Sequence, residues 1–264
     1  MCPQCRAFIT TSDRVCPYCN EKVAPRIVDE RNPSPIMGLI PSAKFTTSVI
    51  VLINIAIYIA CQINGRLVEA GYKNSYDIFI GHEWWRLVTA GFLHGGLLHI
   101  GMNMWVLNDL GGEVERTYGT ASFLVIYFLA TVCGFLFSAY MSMTPSLGAS
   151  AGILGLIGAM IAFGVRNRTN VGKQIRSFYI RWAIYGIALG LLPGFSIDNW
   201  AHLGGLASGF GVAYAAGTPV HASRIGEQFW KALATVAVLL TAVSFWQMYM
   251  QFTAQAPPVA ISPV

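Results

Sequence analysis

Seven apolar runs dominate the chain, near residues 45–64, 95–112, 119–141, 150–165, 177–194, 198–217 and 230–252. A hydrocarbon core about 30 Å thick takes roughly 20 apolar residues of helix to cross. In lipid each helix must also satisfy its own backbone N–H and C=O groups. Runs of this length and number predict an all-α polytopic membrane protein. Composition agrees: 55% of the 264 residues are hydrophobic and 11% are charged, where a soluble domain carries about 25% charged residues. Residues 1–44 hold ten charges and no long apolar run. Nothing there reads as a cleavable signal peptide, so the first span is the expected insertion signal.

The charges between the runs alternate. The N-terminal region has six basic residues against four acidic ones, and the stretch after the fourth run holds Arg166, Arg168, Lys173 and Arg176. Arg224 and Lys231 follow the sixth run. The stretches SMTPSLG and LPGFSIDN, and the tail after the seventh run, have no Lys or Arg. The positive-inside rule then predicts a cytoplasmic N-terminus and an outer C-terminus. Segment 65–94 falls outside and is too long for a simple turn. A bacterial plasma membrane is the expected location.

The cysteines divide into two groups. Cys61 and Cys133 sit alone in apolar runs and read as small hydrophobes. Cys2 and Cys5 in CPQC, with Cys16 and Cys19 in CPYC, form two knuckles ten residues apart. Four thiolates at this spacing suit a tetrahedral structural zinc, which would supply the folding free energy that so short a segment lacks. Two disulfides, a redox CxxC and a mononuclear iron site are the alternatives, and a cytoplasmic location disfavours the disulfides. The expected organisation is a zinc-ribbon-like head at 1–23, a linker at 24–44 with four prolines, a membrane domain at 45–217, and a loop, seventh helix and tail at 218–264.

The fourth run is short. From Ser150 to Arg166 it gives about 24 Å of helix, less than the hydrocarbon core. With its inner end at the cytoplasmic surface, Ser150 lies at a helix N-terminus below the outer surface. The N–H groups there have no partners within the helix, and irregular backbone at that depth must line a cavity or be buried in protein. An unremarkable role for the serine, bonding back to its own helix or easing helix packing, stands beside a nucleophilic one.

A nucleophile needs a base and oxyanion donors. Of five histidines, His82 and His221 lie outside the runs and read as solvated. His94, His99 and His202 lie in or beside them, where ionisable groups are functional candidates. His202 precedes Gly205 and Gly209 on one helical face. The fourth run offers Gly152, Gly155, Gly158 and Ala159 for close packing. Two glycine-faced helices bring an imidazole within reach of Ser150. His99 and Asn103 share a face at i, i+4, and both carry donors. Asp198, one turn before His202, reads as a cap or loop residue.

Trp85–Arg86, HGGLLHIGMN (94–103), GGEVE (111–115), GAS (148–150) and AHLGGLASG (201–209) together resemble the rhomboid family of intramembrane serine proteases. The resemblance covers about residues 45–217 in the family's order. It implies a six-helix core with one helix added at the C-terminus, and a Ser150–His202 dyad. It further implies that His99, Asn103 and the Ser150 N–H stabilise an oxyanion. Gly148 matches the glycine of the GxS motif, while His94, Trp85 and Arg86 fall at structural positions. No cofactor is implied for catalysis. The implied partners are the lipid bilayer and membrane-protein substrates whose transmembrane helix enters sideways. Two residues depart from the family's pattern: Ala151 stands where glycine is usual, and Leu154 where an aromatic often packs on the histidine. The rival reading is a non-catalytic rhomboid-like protein that binds or escorts membrane clients. A transporter would carry repeats or several buried carboxylates, and nucleic-acid binding would need a basic, aromatic-interleaved patch. The chain has neither, and nothing in it sets an oligomeric state.

Overall fold

The structure, a computed structural model, describes residues 15–16, 19–21, 44–192, 196–217 and 224–254. The chain divides into two compact units, Met1–Pro41 and Ser42–Val264. In the first, Cys16 is buried and Cys19 exposed. Asn20 donates its N–H to the Cys16 carbonyl, with φ at +58°. Cys2 and Cys5 lie outside the described residues, as does all of the expected linker except Lys44.

Among its described residues, the regular structure of the second unit is helical, with one isolated antiparallel bridge between Lys73 and Ser146. Seven long helices match the seven apolar runs: α1 (Phe45–Ile63), α5 (Leu97–Tyr118), α6 (Thr120–Met141), α7 (Ser150–Arg166), α8 (Asn170–Leu189), α9 (Asn199–Ala216) and α10 (Arg224–Ala254). Segment 65–94 folds into three short helices, α2 (Arg66–Gly71), α3 (Ser75–Phe79) and α4 (Arg86–Thr89), the last running into a 3-10 turn at Ala90–Phe92. Among the described residues, α1, α6 and α10 are long and apolar enough by themselves to cross a membrane, and α7 is a shorter apolar helix.

Several ends differ from the apolar runs for polar reasons. Helix α5 continues six residues past its run because Glu115 finds partners in the interior. It accepts from the Thr47 N–H at 3.2 Å, the Thr47 hydroxyl at 3.0 Å and the Thr120 hydroxyl at 3.0 Å. It ends at Gly119, whose φ of +80° closes the turn into α6. Helix α8 starts seven residues before its run, at a cap where the Thr169 hydroxyl accepts from the Gly172 N–H at 3.2 Å. Capping and an exposed charged face, rather than hydropathy, set that boundary. It also stops at Leu189, five residues early.

Helix α7 is the hub. It is buried on every side, with residues 151–160 all inaccessible, as expected for a helix apolar all round. Its neighbours reach it through small residues. A Cβ on Gly155 would lie 2.0 Å from the Ala130 Cβ of α6, and one on Gly158 would lie 2.3 Å from the Leu206 carbonyl of α9. Tyr118 donates its hydroxyl to the Ala159 carbonyl at 2.9 Å. Gly152, expected among the residues facing α9, instead faces Tyr127 and Thr131 of α6, because each step of three residues turns the helix face by about 60°, leaving Gly152 about 120° from Gly158.

The 65–94 segment is held from within. Arg86 is buried and pairs with Glu83 at 2.6 Å and Asp77 at 3.2 Å. It also donates to the Glu69 and Tyr72 carbonyls at 2.8 and 2.9 Å. Trp85 donates its indole N–H to the Ala70 carbonyl at 3.4 Å. The end of α10 docks here: Gln251 donates to Glu83 at 3.0 Å, and Phe245 meets Phe92 edge-on with ring centres 5.4 Å apart.

Candidate active site

Ser150 is the first residue of α7 and is half-buried. Ala149 before it offers no side-chain cap, so the opening N–H groups of the helix have no partner inside it and carry the positive end of its dipole. Gly148 has φ +129°, which a side chain would strain. Its bare side opens on His99 and Ser150. A Cβ placed there would lie 2.7 Å from His99 Nε2 and 3.8 Å from Ser150 Oγ. Glycine at this position therefore leaves room for a reacting atom between a ring nitrogen and the hydroxyl.

His99 is aimed by its neighbours. Its Nδ1 accepts from the Gly95 N–H at 3.5 Å, and its ring meets that of His94 edge-on at 5.2 Å. His94 is wholly buried, and its Nε2 accepts from the Ala149 N–H at 3.4 Å. His94 thus touches the backbone beside the serine, a contact that sequence reasoning missed. The HxxxxHxxxN spacing was the available signal. Asn103 shares the His99 face of α5 as expected, but its amide donates back to the His99 carbonyl at 2.9 Å. Its donor is turned onto its own helix.

Helices α7 and α9 lie backbone to backbone. A Cβ on Gly205 would stand 2.2 Å from the Ala151 carbonyl, and one on Gly209 would stand 2.2 Å from the Gly155 carbonyl. The same offset at both contacts means that the helices run parallel in one register. His202, three residues before Gly205, therefore comes level with the Gly148–Ser150 stretch. It is 4% exposed, and its ring nitrogens make no hydrogen bond of ordinary geometry among the described residues, although the Gly186 backbone of α8 lies close enough to act on the ring. A buried imidazole so loosely bonded is uncommon. Asp198 is the cap that the sequence suggested, accepting from the Ala201 N–H at 3.0 Å. Lys73, Ser138 and Ser146, which meet near it, carried no sequence signal.

The two departures have local explanations. The Ala151 methyl is buried against Gly134 of α6, where a Cβ would lie 2.9 Å from it; the alanine is accommodated by a glycine across the interface. Leu154 is buried facing Gly186 of α8. His82 is exposed, as expected, and His221 lies outside the described residues. No group of three or more metal-ligating side chains occurs among the described residues.

Residues 81–219 match the family model described as the Rhomboid domain. The chain belongs to the rhomboid family. Among curated relatives, it is 35% identical over 198 residues to the rhomboid protease GluP of Bacillus subtilis (strain 168), a match covering 73% of this chain and 38% of that protein. It is 38% identical over 148 residues to the mitochondrial RHOMBOID-like protein 6 of Arabidopsis thaliana, covering 54% of this chain and 47% of the relative. It is also 36% identical over 130 residues to the inactive RHOMBOID-like protein 8 of the same plant, covering 48% and 36%. The matched stretch spans less than half the length of each of these relatives. Rhomboid relatives thus include named proteases and a member named inactive.

Proposed function

We propose that this rhomboid is an intramembrane serine endopeptidase acting through Ser150 and His202. The observation that carries the reading is the bare side of Gly148, which opens on Ser150 Oγ and His99 Nε2 together, with the buried His202 level with it. Ser150 Oγ attacks the scissile carbonyl carbon while His202 takes the hydroxyl proton, as a histidine base does near neutral pH. The tetrahedral oxyanion is held by the free N–H at the start of α7 and by His99, with Asn103 once its amide turns from the His99 carbonyl. As the intermediate collapses, His202 protonates the leaving amine. Water, deprotonated by the same histidine, then attacks the ester, and Ser150 regains its proton. None of these steps calls for a metal.

The substrates are membrane proteins whose transmembrane helix approaches through the bilayer and unwinds before the serine. The N-terminus faces the cytoplasm and the C-terminus the outside of a bacterial plasma membrane; the alternation of basic stretches supports this orientation. In the head, Cys2, Cys5, Cys16 and Cys19 hold a structural zinc, supported by their spacing and by the turn at Cys16–Asn20. Metal analysis of the purified full chain is expected to find one zinc per chain, lost on Cys16→Ser.

The test uses the full chain in lipid nanodiscs with a transmembrane peptide substrate and a fluorophosphonate probe. Ser150→Ala and His202→Ala are expected to lower cleavage at least about 1,000-fold, the scale seen when a nucleophile or base is removed, and Ser150→Ala to abolish labelling. A wild-type chain that neither labels nor cleaves would overturn the protease reading and leave client binding in its place.

A further inference from the structure

Three segments converge beside the reaction centre without entering it. Lys73 is fully buried, and its ammonium donates to the Ser142 carbonyl at 2.7 Å and the Thr144 carbonyl at 3.0 Å. Its backbone pairs with Ser146 in both directions, at 2.9 and 3.1 Å. The Ser75 hydroxyl adds a second donor to the Ser142 carbonyl at 2.9 Å. Residues 142–146, which lead into the serine, are thus clamped along their length. Burying an ammonium is costly unless it is paired. Burial pushes the Lys73 pKa down, and the Asp198 carboxylate opposes that shift.

Asp198 receives more than a helix cap needs. Its Oδ1 accepts the Ala201 N–H, the ordinary capping bond. Its Oδ2 accepts the Ser146 hydroxyl at 2.5 Å and also the Ser138 hydroxyl from α6. Ser146 stands four residues before Ser150, and Asp198 stands four residues before His202. One carboxylate therefore ties the approach to the nucleophile to the helix that carries the base.

We propose that Asp198 is a positioning residue, its second carboxylate oxygen fastening the Ser146 segment and α6 to the start of α9 so that Ser150 and His202 keep one register. Helix packing sets the register of α7 against α9 lower down. Above Gly148, however, the chain leaves the helix, and among the described residues the hydroxyls of Ser146 and Ser138 tie it and α6 to Asp198 at the start of α9. The catalytic consequence rests on the protease reading; the fastening does not.

The test separates cap from fastener. In the Ser138→Ala/Ser146→Ala double variant, Asp198 keeps its bond to Ala201 and loses both hydroxyls. The full chain in nanodiscs is followed by fluorophosphonate labelling, by kcat and KM, and by hydrogen exchange. The double variant is expected to label at least tenfold more slowly, with kcat reduced in step and KM within twofold. Its amides at 199–204 should keep wild-type protection while those at 146–152 exchange faster. Asp198→Ala should speed exchange in both stretches, and adding the two serine changes to it should slow labelling no further. A double variant that labels at the wild-type rate, or an Asp198→Ala chain in which 199–204 alone loosens, would overturn the proposal and leave Asp198 a cap. If the wild type neither labels nor cleaves, the protease reading falls. Exchange then decides the fastening: loosening of both stretches in Asp198→Ala upholds it, and loosening of 199–204 alone rejects it.

Discussion

Gly148 shows how much one missing methyl does. With φ at +129°, an alanine there is strained wherever its methyl points, and the methyl would meet His99 Nε2 at 2.7 Å. Strain of this kind costs about 1–3 kcal/mol. Gly148→Ala is expected to cut the rate of Ser150 labelling at least tenfold, and a variant labelling at the wild-type rate would show that the space is not used. Ala151 makes the opposite case. Sequence alone leaves open whether its methyl crowds the nucleophile; the structure turns that methyl onto Gly134. Ala151→Gly should therefore leave the cleavage rate within about twofold while lowering the melting temperature, since glycine inside a helix costs up to about 1 kcal/mol relative to alanine. A large gain in rate would mean that the methyl does face the site.

At the scale of elements, the placing of Ser150 beside His202 depends on an interface made from absent side chains. The glycine spacing at 205 and 209 was readable as a packing face, and the structure puts both glycines against α7 carbonyls. Backbone atoms cannot step aside as side chains do, so overpacking here carries its full cost, typically about 1–3 kcal/mol. Gly209→Ala, whose methyl would sit 2.2 Å from the Gly155 carbonyl, should lower thermal stability clearly in detergent. Gly211→Ala, two residues on with nothing within 4 Å, should be neutral or mildly stabilising. Equal effects from the two would mean that helix propensity rather than contact sets the outcome. What sequence missed at this scale was which glycine faces which helix. Gly152 turns to α6, and periodicity without partners cannot assign a face.

Across the whole molecule, the outer segment and the last helix brace each other. Arg86 is 4% exposed and pairs with Glu83, which in turn receives Gln251 from α10. Removing the guanidinium strands a poorly solvated carboxylate, a loss of about 3–5 kcal/mol for a buried pair. Arg86→Met is expected to lower the unfolding midpoint far more than Arg116→Met, whose exposed pair with Glu113 is worth about 0–1 kcal/mol. Parallel denaturation of the two variants in one detergent measures the contrast, and similar midpoints would deny Arg86 its bracing role.

Hydropathy alone determined the seven helices and the all-α membrane class, because lipid leaves a backbone so few ways to bond itself. Residue type and spacing also singled out Ser150, His202 and His99 as candidates, since few side chains suit nucleophilic and acid–base chemistry, and the family resemblance added Gly148. Only the tertiary structure decided what surrounds them: His94 on the Ala149 amide, Asn103 turned back on its helix, Lys73 buried under the 142–146 segment, and Asp198 shared among three elements. Those contacts join residues far apart in the chain, and each polar group takes whichever partner packing leaves within reach. No local pattern encodes that choice.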